Sequence, residues 1–173
     1  YNKIILLMYI KGKTVFLKNI SLNDSKFITH IRNKKNIKKY LNNPPPNIKH
    51  QIYWTKKNIK NKATRDFVIL DKITRKRIGT IALNDINLKK REAEWGRWIC
   101  AGTSSQSIES FLLLSKYSFY SLCLKKIYSL TNYKNIKVIN FHKRIGGKYF
   151  GTLKNKYFIK GKKTDAVKYI FNK

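Results

Sequence analysis

The segment from residue 92 to residue 133 constrains the fold most, because it changes from a strand pattern to a helix pattern and back. EAEWGRWIC (92–100) alternates like a strand and is followed by a corner of small residues, AGTSSQS (101–107). From Ser104 the apolar residues recur at helical spacing, and KIYSLTNY (126–133) reads again as a strand. This crossover predicts a mixed α/β sheet, with a ligand site at the carboxyl end of the first strand.

The flanking segments supply further strands and helices. Alternating or continuous apolar runs predict strands at 13–20, 66–70, 77–86, 148–153 and 164–171, the last two joined by a long turn at 154–163. Helical spacing follows SLND (21–24), continues through 31–41, and returns at 47–61 and 135–147. In SLND, Ser21 and Asp24 have the spacing of a capping box. Three prolines make 42–47 a stiff loop.

A chain of 173 residues is long enough for one domain with a buried core. We predict a single domain over residues 8–173. Met8 is the only methionine and the chain begins with Tyr1, so we take Met8 as the natural start. Residues 1–7 are then an upstream or vector-derived extension.

The formal net charge is +31, from 39 Lys and Arg residues against 8 Asp and Glu residues. Such a charge is typical of proteins that bind nucleic acid or anionic membranes. However, the basic residues are spread along the whole chain, and most are lysines, whereas phosphate and base recognition favours arginine. Drift in an AT-rich genome explains the same composition. Under either explanation the protein attracts anions such as nucleotides.

Cysteine usage and hydropathy exclude other classes of site. Cys100 and Cys123 do not have the spacing of a zinc site or of a redox pair, which favours a reduced, cytoplasmic protein with no metal site. No uncharged apolar run is long enough to cross a membrane. The apolar stretch 3–11 lacks the cleavage site of a signal peptide.

The corner at 101–107 precedes the N-terminus of a helix, where backbone N–H groups lack partners within the helix. Hydroxyl side chains stand beside these groups: Thr103, Ser104, Ser105 and Ser107. Small side chains allow a phosphate to approach the backbone, so a pyrophosphate fits here. Ordinary capping of the helix by one hydroxyl explains the same residues.

The order of several motifs resembles the GNAT acyltransferase superfamily, nearest its RimL-like branch. The motifs are RIGTIAL, AEWGRWI, the Glu109–Ser110 pair with Phe119 ten residues after the glutamate, NIKVINFHKRIGG and GKKTDAVKYIF. IRNKKNIKKYL, AEWGRWI and VINFHK also resemble the PseH-like enzymes that acetylate amino sugars on nucleotide carriers. The resemblance covers about residues 9–172. It implies a mostly antiparallel α/β (α+β) sheet, flanked by helices and splayed at the fourth predicted strand (92–100), with acetyl-CoA as acetyl donor.

The resemblance also implies where acetyl-CoA lies. In this family the splayed strand bulges, and the pantetheine arm pairs with its exposed backbone, here near Trp98, Ile99 and Cys100. Asn135 is implied to hold the same arm, or else to cap the following helix. The family's pyrophosphate motif, Gln/Arg-x-x-Gly-x-Gly/Ala, falls on six residues: Gly102, Thr103, Ser104, Ser105, Gln106 and Ser107. Gly102 therefore replaces Gln/Arg, and two serines replace the glycines. Because serine does not freely adopt positive φ, hydroxyls would have to assist binding, or binding is weakened.

Acetyl transfer to an amine needs a base for the amine proton and an acid for the leaving thiolate. The resemblance places Glu94 as the base, acting through a water, with Glu92 as its substitute. The alternative for Glu94 is a strand carboxylate paired with a lysine. His142 stands where many GNAT enzymes carry the tyrosine that protonates the thiolate, and a pKa near 6.5 suits that role. A partly buried helix histidine is the alternative.

The acceptor is expected against the first helices and the proline loop. Candidate contacts are Arg32, Asn33, Tyr40, His50 and Trp54. Arg32 can hold a phosphate and Trp54 can stack on a ring, although Trp54 and Tyr40 also fit as packing residues. We predict direct acetyl transfer to a small-molecule amine, the amino group of an amino-sugar nucleotide.

The sequence leaves open two alternatives to this acceptor and function. One is acetylation of a protein N-terminus, as in ribosomal-protein acetylation. The other is a non-catalytic nucleic-acid-binding domain with a decayed GNAT fold, which the charge and the altered phosphate motif favour. Salt distinguishes nucleic-acid binding, since non-specific binding weakens steeply as salt rises.

Overall fold

The computed structural model describes residues 9–173, so the predictions for Met8 and for residues 1–7 lie outside the described residues. The strands are β1 (Tyr9–Lys11), β2 (Val15–Asn19), β3 (Arg65–Asp71), β4 (Arg77–Asn87), β5 (Glu92–Cys100), β6 (Lys126–Asn132), β7 (Lys148–Ile159) and β8 (Lys162–Asn172). They form one sheet in the order β1-β2-β3-β4-β5-β6-β8-β7. Among these described strands only β5 and β6 pair in parallel, and the other neighbours are antiparallel.

Helices cover both faces of this sheet. They are α1 (Ser25–Asn33), α2 (Lys35–Lys38), α3 (Ile48–Ile59), α4 (Ser104–Lys116) and α5 (Ile136–Arg144). A 3-10 turn, Leu22–Asp24, precedes α1, and a π-type turn, Tyr117–Ser121, extends α4. The mixed fold and the crossover from β5 through α4 to β6 are therefore confirmed.

The central strands are buried on both faces. On one face Leu17 and Ile69 pack in the same cluster as Leu114 of α4. On the opposite face Phe16 packs with Ile28 of α1. Burial on both faces explains why these strands read as continuous apolar runs. It also places α4 and α5 on one side of the sheet, and α1 and α3 on the other.

Asp24 ties the first helix to the sheet. Its fully buried carboxylate accepts bonds from Lys18 (2.7 Å), Arg77 (2.8 Å) and the Ser21 N–H (2.8 Å). Burial raises the pKa of Asp24, but these bonds outweigh burial and hold the pKa below its ordinary value. The predicted capping box of Ser21 and Asp24 is confirmed.

The helical segment predicted through 31–41 is interrupted. α1 ends at Asn33, Lys34 adopts an extended conformation with ψ 130°, and α2 adds a single turn. The Asn33 side-chain amide explains this end, because it donates to the carbonyl oxygens of Thr29 (2.9 Å) and Pro45 (2.8 Å). The helix is thereby tied to the proline loop.

The long turn predicted at 154–163 is wrong. β7 continues to Ile159, and a two-residue turn of Lys160 and Gly161 leads into β8. Both turn residues have positive φ, 50° and 75°, which two-residue hairpins favour. Tyr157 consequently lies in a strand. β1 was not predicted.

We expect Asp24→Asn to lower the free energy of unfolding by about 3 kcal/mol, because it leaves Lys18 and Arg77 without their buried partner. Glu92→Gln is the matched control, since the Glu92–Lys126 pair is partly exposed and should cost less than about 1 kcal/mol. Urea unfolding followed by circular dichroism measures both. Equal losses in the two variants would contradict the anchoring role of Asp24.

Candidate active site

The site begins where β5 and β6 separate. The two strands pair only from Glu92 to Glu94 on β5, opposite Lys126 to Tyr128 on β6. Beyond Glu94 the β6 side of β5 pairs with no strand of the described chain. The splay predicted for strand 92–100 is therefore present. It leaves backbone donors and acceptors of β5 free for a ligand.

A bulge on the other edge of β5 accompanies the splay. Ala82 of β4 faces Gly96 and Thr80 faces Ile99, so β5 carries an extra residue between these two pairs. Arg97 has a φ of 49°, and its carbonyl oxygen accepts a bond from the Thr80 hydroxyl at 2.7 Å. The bulge turns the Arg97 side chain towards β3, where it donates to Asp66 at 2.7 Å.

The divergence opens a cavity of about 470 Å³. Predicted site residues from both faces of the sheet line it: Arg32, Tyr40, Glu94, Trp98, Asn135 and His142. Asn84, Asp85, Arg97 and Tyr157 line the same cavity and were not predicted as site residues. The cavity thus joins the expected acetyl-CoA side, near α5, to the expected acceptor side, near α1.

The corner after β5 is a capped helix end. The Thr103 hydroxyl accepts a bond from the Gln106 N–H at 3.3 Å, and Gln106 Oε1 accepts a bond from the Thr103 N–H at 3.0 Å. Gln106 also donates to Asp71 at 2.6 Å. A Cβ at position 102 would collide with the Gln106 side chain, so this cap explains Gly102. The capping interpretation is confirmed for Thr103 and Gln106.

The cap leaves two N–H groups of the first turn for a ligand. Those of Ser104 and Ser105 have no acceptor among residues 9–173, whereas the Ser107 N–H bonds to the Thr103 carbonyl at 2.9 Å. The Ser105 hydroxyl is within 2.9 Å of the Thr103 hydroxyl. Free N–H groups at a helix N-terminus suit a pyrophosphate, so the corner fits coenzyme A without the family's glycines.

Trp98, Ile99 and Cys100 follow the bulge on the unpaired edge of β5. The Trp98 ring stacks on Phe141 of α5, with centroids 4.1 Å apart, and its Nε1 donates to Ser110 of α4 at 3.2 Å. The ring is therefore engaged in packing, and the backbone is the part of Trp98 that suits a pantetheine arm.

Asn135 opens α5 at the N-cap position, and its side chain makes no capping bond. It lines the cavity beneath the splay. The alternative that it caps the helix holds for its position but not for its side chain, because only its backbone carbonyl oxygen accepts bonds from the first turn. Its side-chain amide is available for the pantetheine arm, as the family resemblance implies.

Glu94 occupies the last paired position before the strands diverge. Burial raises its pKa to about 7, and the negative charge of Asp85 adds to the effect. Positive charges that partly oppose this shift come from Lys156, Arg97 and Lys168. Burial raises the pKa values of the phenols of Tyr128 and Tyr157, and the negative charge of Glu94 raises them further. A carboxyl group that titrates near neutral pH is well suited to accept a proton.

Glu92 differs from Glu94 although it lies on the same strand. Its carboxylate forms an ion pair with Lys126 at 2.6 Å, and this bond is the main cause of its lowered pKa. A stabilised carboxylate is a weak base. Glu92 therefore fits the lysine-paired interpretation, and Glu94 does not, because it has no ion pair among the described residues.

His142 is packed in the core. Only 1% of it is exposed, and the rings of Trp95, Tyr169 and Phe171 surround it. Burial lowers its pKa to about 4, so the expectation of an ordinary pKa is wrong. At neutral pH the ring is uncharged, which disfavours its predicted role as proton donor. That role stays a prediction.

Tyr157 is an alternative proton donor in the same cavity. Its hydroxyl donates to the Leu130 carbonyl oxygen at 2.8 Å, and burial raises its pKa, so it carries its proton at neutral pH. Tyr157 was not predicted as a site residue because residues 154–163 were predicted to form a turn. Extending the predicted strand from 148 to 159 would have placed Tyr157 in the sheet.

Three of the five predicted acceptor residues line a second cavity of about 490 Å³. Arg32, His50 and Trp54 line it, together with the proline loop, and Arg32 and Arg97 line both cavities. Tyr40 lines only the first. Asn33 lines neither, because its amide is used to hold the proline loop, and its expected contact with the acceptor is not supported.

This second cavity, where the acceptor is predicted to bind, has two arginines and one aspartate in its lining and so carries a net positive charge. Arg97 pairs with Asp66 and also lies over the Trp54 ring, 4.6 Å from its centroid. Burial, and then the charge of Arg97, lower the pKa of Arg32 to about 10, although Asp66 opposes this shift. Arg32 has no ion pair among the described residues. The cavity therefore holds two guanidinium groups and one carboxylate, and that carboxylate is paired with Arg97 alone.

Other kinds of site have no support in residues 9–173. There, no group of three or more His, Cys, Asp or Glu side chains is placed to hold a metal ion. No helix in this range has both the length and the apolar character that crossing a membrane requires. Cys100 and Cys123 are both free thiols.

The whole arrangement is that of an acetyltransferase. Residues 17–167 match the family model described as an acetyltransferase (GNAT) domain, which is most of the chain, so the chain belongs to the GNAT acetyltransferase family. It is an acetyl-CoA-dependent N-acetyltransferase.

Two of the proteins similar to this chain are spermidine acetyltransferases. Spermidine N(1)-acetyltransferase of Vibrio cholerae is 28% identical over 153 residues, which are 87% of this chain and 88% of the relative. A crystal structure of spermidine N-acetyltransferase from Vibrio cholerae in complex with CoA and spermine has a TM-score of 0.83 at 25% identity, covering 93% of this chain and 96% of that one.

A GCN5-related N-acetyltransferase from Brucella melitensis has a TM-score of 0.82 at 18% identity, covering 95% of this chain and 78% of that one. These comparisons support the family, the fold and the acetyl donor. They do not support the RimL-like or PseH-like branch that the motifs suggested.

We expect turnover to rise with pH through about 7, because Glu94 accepts a proton only after losing its own. Glu94→Gln should lower kcat at least about tenfold and flatten this part of the profile. Thiol release from acetyl-CoA with an acetylated amine measures both, and Glu92→Gln is the control with one charge fewer on the same strand. An unchanged profile in Glu94→Gln would remove Glu94 from the mechanism.

His142→Phe tests the packing role. An unfolded histidine binds its proton near pH 6.5, but the folded one only near pH 4, so His142 reduces stability as the pH falls between these values. The free energy of unfolding of His142→Phe should depend less on pH over this range. Parallel pH curves for the two proteins would contradict the burial of a neutral His142, and full retention of kcat would exclude it as the acid.

Proposed function

We propose that this N-acetyltransferase acetylates the amine of a nucleotide-linked amino sugar. The observation that carries the proposal is the acceptor cavity, where Arg32, Arg97 and Trp54 converge and the carboxylate of Asp66 is already paired. Guanidinium groups bind phosphates and an indole face binds a planar ring. A volume of about 490 Å³ suits a molecule larger than a simple amine.

The reaction follows from the groups around the splay. Glu94 receives a proton from the acceptor ammonium, directly or through a water, and the amine nitrogen then attacks the thioester carbonyl carbon. The carbon–sulfur bond breaks, and the sulfur takes up a proton from Tyr157 or, as the sequence predicts, from His142. The second proton of the amine nitrogen leaves as the amide forms and restores that donor, and Glu94 releases its proton to solvent. The two products are the acetylated amine and coenzyme A. Most of the rate can come from holding the two substrates in line across the cavity.

A polyamine is the second candidate acceptor. The Vibrio cholerae relatives carry the name of spermidine, and Asp85 and Glu94 place two carboxylates beside the splay. The charge of the protein disfavours a polyamine, because a polycation is repelled by a net charge of +31 and by the two arginines that line the cavity. An acceptor with one amine and a phosphate satisfies both halves of the site.

The alternatives left open by the sequence are less well supported. A cavity bounded by α1, α3 and the proline loop suits a compact molecule better than a protein N-terminus. The comparisons favour an enzyme over a non-catalytic nucleic-acid-binding domain.

A direct assay compares acceptors under saturating acetyl-CoA. We expect a UDP-linked amino sugar to be acetylated with a higher kcat/KM than spermidine at about 150 mM salt, where non-specific charge effects are screened. A higher kcat/KM for spermidine would overturn the proposal in favour of the polyamine.

Arg32→Gln should raise KM for the nucleotide-linked acceptor about tenfold, the size expected for one charge-assisted bond, and leave KM for acetyl-CoA unchanged. Lys35→Gln is the matched control, since this exposed lysine lies in neighbouring α2 and lines neither cavity. Equal effects of the two substitutions would show that Arg32 acts only through overall charge.

A further inference from the structure

The hairpin that joins β3 to β4 is attached to the start of α4 by one carboxylate. Asp71, the last residue of β3, accepts bonds at Oδ1 from the N–H groups of Ile73 (3.0 Å) and Thr74 (2.7 Å) and from the Thr74 hydroxyl (2.9 Å). Its Oδ2 accepts a bond from Gln106 Nε2 at 2.6 Å. The bonds from Thr74 are the main cause of the lowered pKa of Asp71, so its carboxylate is ionised at neutral pH. One oxygen thus closes the hairpin, and the other reaches α4.

The bond to Asp71 fixes the orientation of the Gln106 amide. Nε2 points to Asp71, so Oε1 is left to accept the bond from the Thr103 N–H at 3.0 Å. The opposite orientation would place the amide oxygen against a carboxylate and would place two N–H donors against each other. Gln106 therefore depends on Asp71 for its half of the capping box.

The capping box in turn sets the backbone of the corner. It holds Thr103 as the N-cap, with φ −68° and ψ 167°. The N–H groups of Ser104 and Ser105 follow directly and have no acceptor among residues 9–173. In the family's pyrophosphate motif two glycines belong to this loop. Here the loop is held instead by side chains from two separate parts of the chain.

We propose that Asp71 is a positioning residue for acetyl-CoA. Acting through Gln106, it holds the corner in the conformation that presents the Ser104 and Ser105 N–H groups to the pyrophosphate. Donors that are fixed before binding reduce the entropy cost of ordering the loop, and affinity rises accordingly. The inference rests on the placement of acetyl-CoA at the corner and not on the identity of the acceptor, so a wrong acceptor assignment would appear only in the acceptor assay.

Exchanging the two functional groups tests the link. In Asp71→Asn an amide donor replaces one carboxylate oxygen, and it faces either Gln106 Nε2 or the N–H groups of the hairpin. Gln106→Glu alone places a second carboxylate against Asp71. In the double variant, Asp71→Asn with Gln106→Glu, the asparagine amide donates to the new carboxylate, whose other oxygen still accepts the Thr103 N–H. Glutamate is common at this position of a capping box, and the net charge equals that of the wild type.

Titration calorimetry of acetyl-CoA into the full chain measures Kd for each variant at about 150 mM salt. Each single substitution should raise Kd about tenfold, the size expected for one charge-assisted bond, and the double variant should return to within about threefold of the wild type. An unchanged Kd in Asp71→Asn would overturn the inference. Failure of the double variant to recover would also overturn it, since the loss would then come from the separate side chains and not from the link between them.

Two controls separate positioning from general damage to the fold. S-acetylpantetheine carries the same thioester without the pyrophosphate, so Asp71→Asn should leave kcat/KM for this donor unchanged, as well as kcat at saturating acetyl-CoA. Thr74→Val removes a bond on the hairpin side of Asp71 and should not change Kd for acetyl-CoA. Equal losses with both acetyl donors, or an equal effect of Thr74→Val, would show that Asp71 supports only the hairpin.

Discussion

The separation of β5 from β6 is the feature on which the rest of the site depends. Six of the seven strand pairings are antiparallel, but β5 and β6 are joined through α4 and pair in parallel for three residues only. The bulge at Arg97 increases the twist of β5 just where pairing stops. One edge of this half-buried strand is thus left without a partner strand within residues 9–173. Such an edge is costly unless a ligand or water satisfies it.

The same bulge divides the chemistry between two sides of the sheet. It sends Arg97 towards Asp66 and Trp54, where the acceptor is proposed to lie. On the opposite side Trp98 packs between α4 and α5, next to the capped corner that fits a pyrophosphate. Glu94 lies at the point where the two sides meet. Burial raises its pKa to about 7, and it forms no ion pair within residues 9–173, which suits the proposed role as base.

In a chain of such high positive charge, the contacts of the few acidic residues are informative. Within residues 9–173 most lysines have no acidic partner, whereas six of the eight acids form ion pairs or accept hydrogen bonds. The exceptions are Asp85, which is exposed to solvent, and Glu94, which is partly buried. Glu94 is the informative one, because it lies at the splay where the acetyl acceptor is proposed to react.

Elements with a strong local signal could be predicted from the sequence. The apolar runs predicted the positions of β3 and β4, and the corner of small residues predicted the start of α4. The order of the motifs indicated the family. Failures came where a distant contact decides local structure. Asn33 ends α1 by reaching Pro45, which no local pattern reveals. His142 is neutral because aromatic rings from distant segments enclose it. Tyr157 was missed because a polar-looking segment pairs with β8.

Residue-resolved hydrogen exchange, measured with and without acetyl-CoA, tests the role of the splayed strand most directly. Bound acetyl-CoA should slow the exchange of amides within residues 97–100, on the unpaired edge, and those of Ser104 and Ser105 at the start of α4. Amides of β7 and β8 should be unaffected. Unchanged exchange in β5 and at the corner, with protection elsewhere, would show that the splay is not where this enzyme holds its acetyl donor.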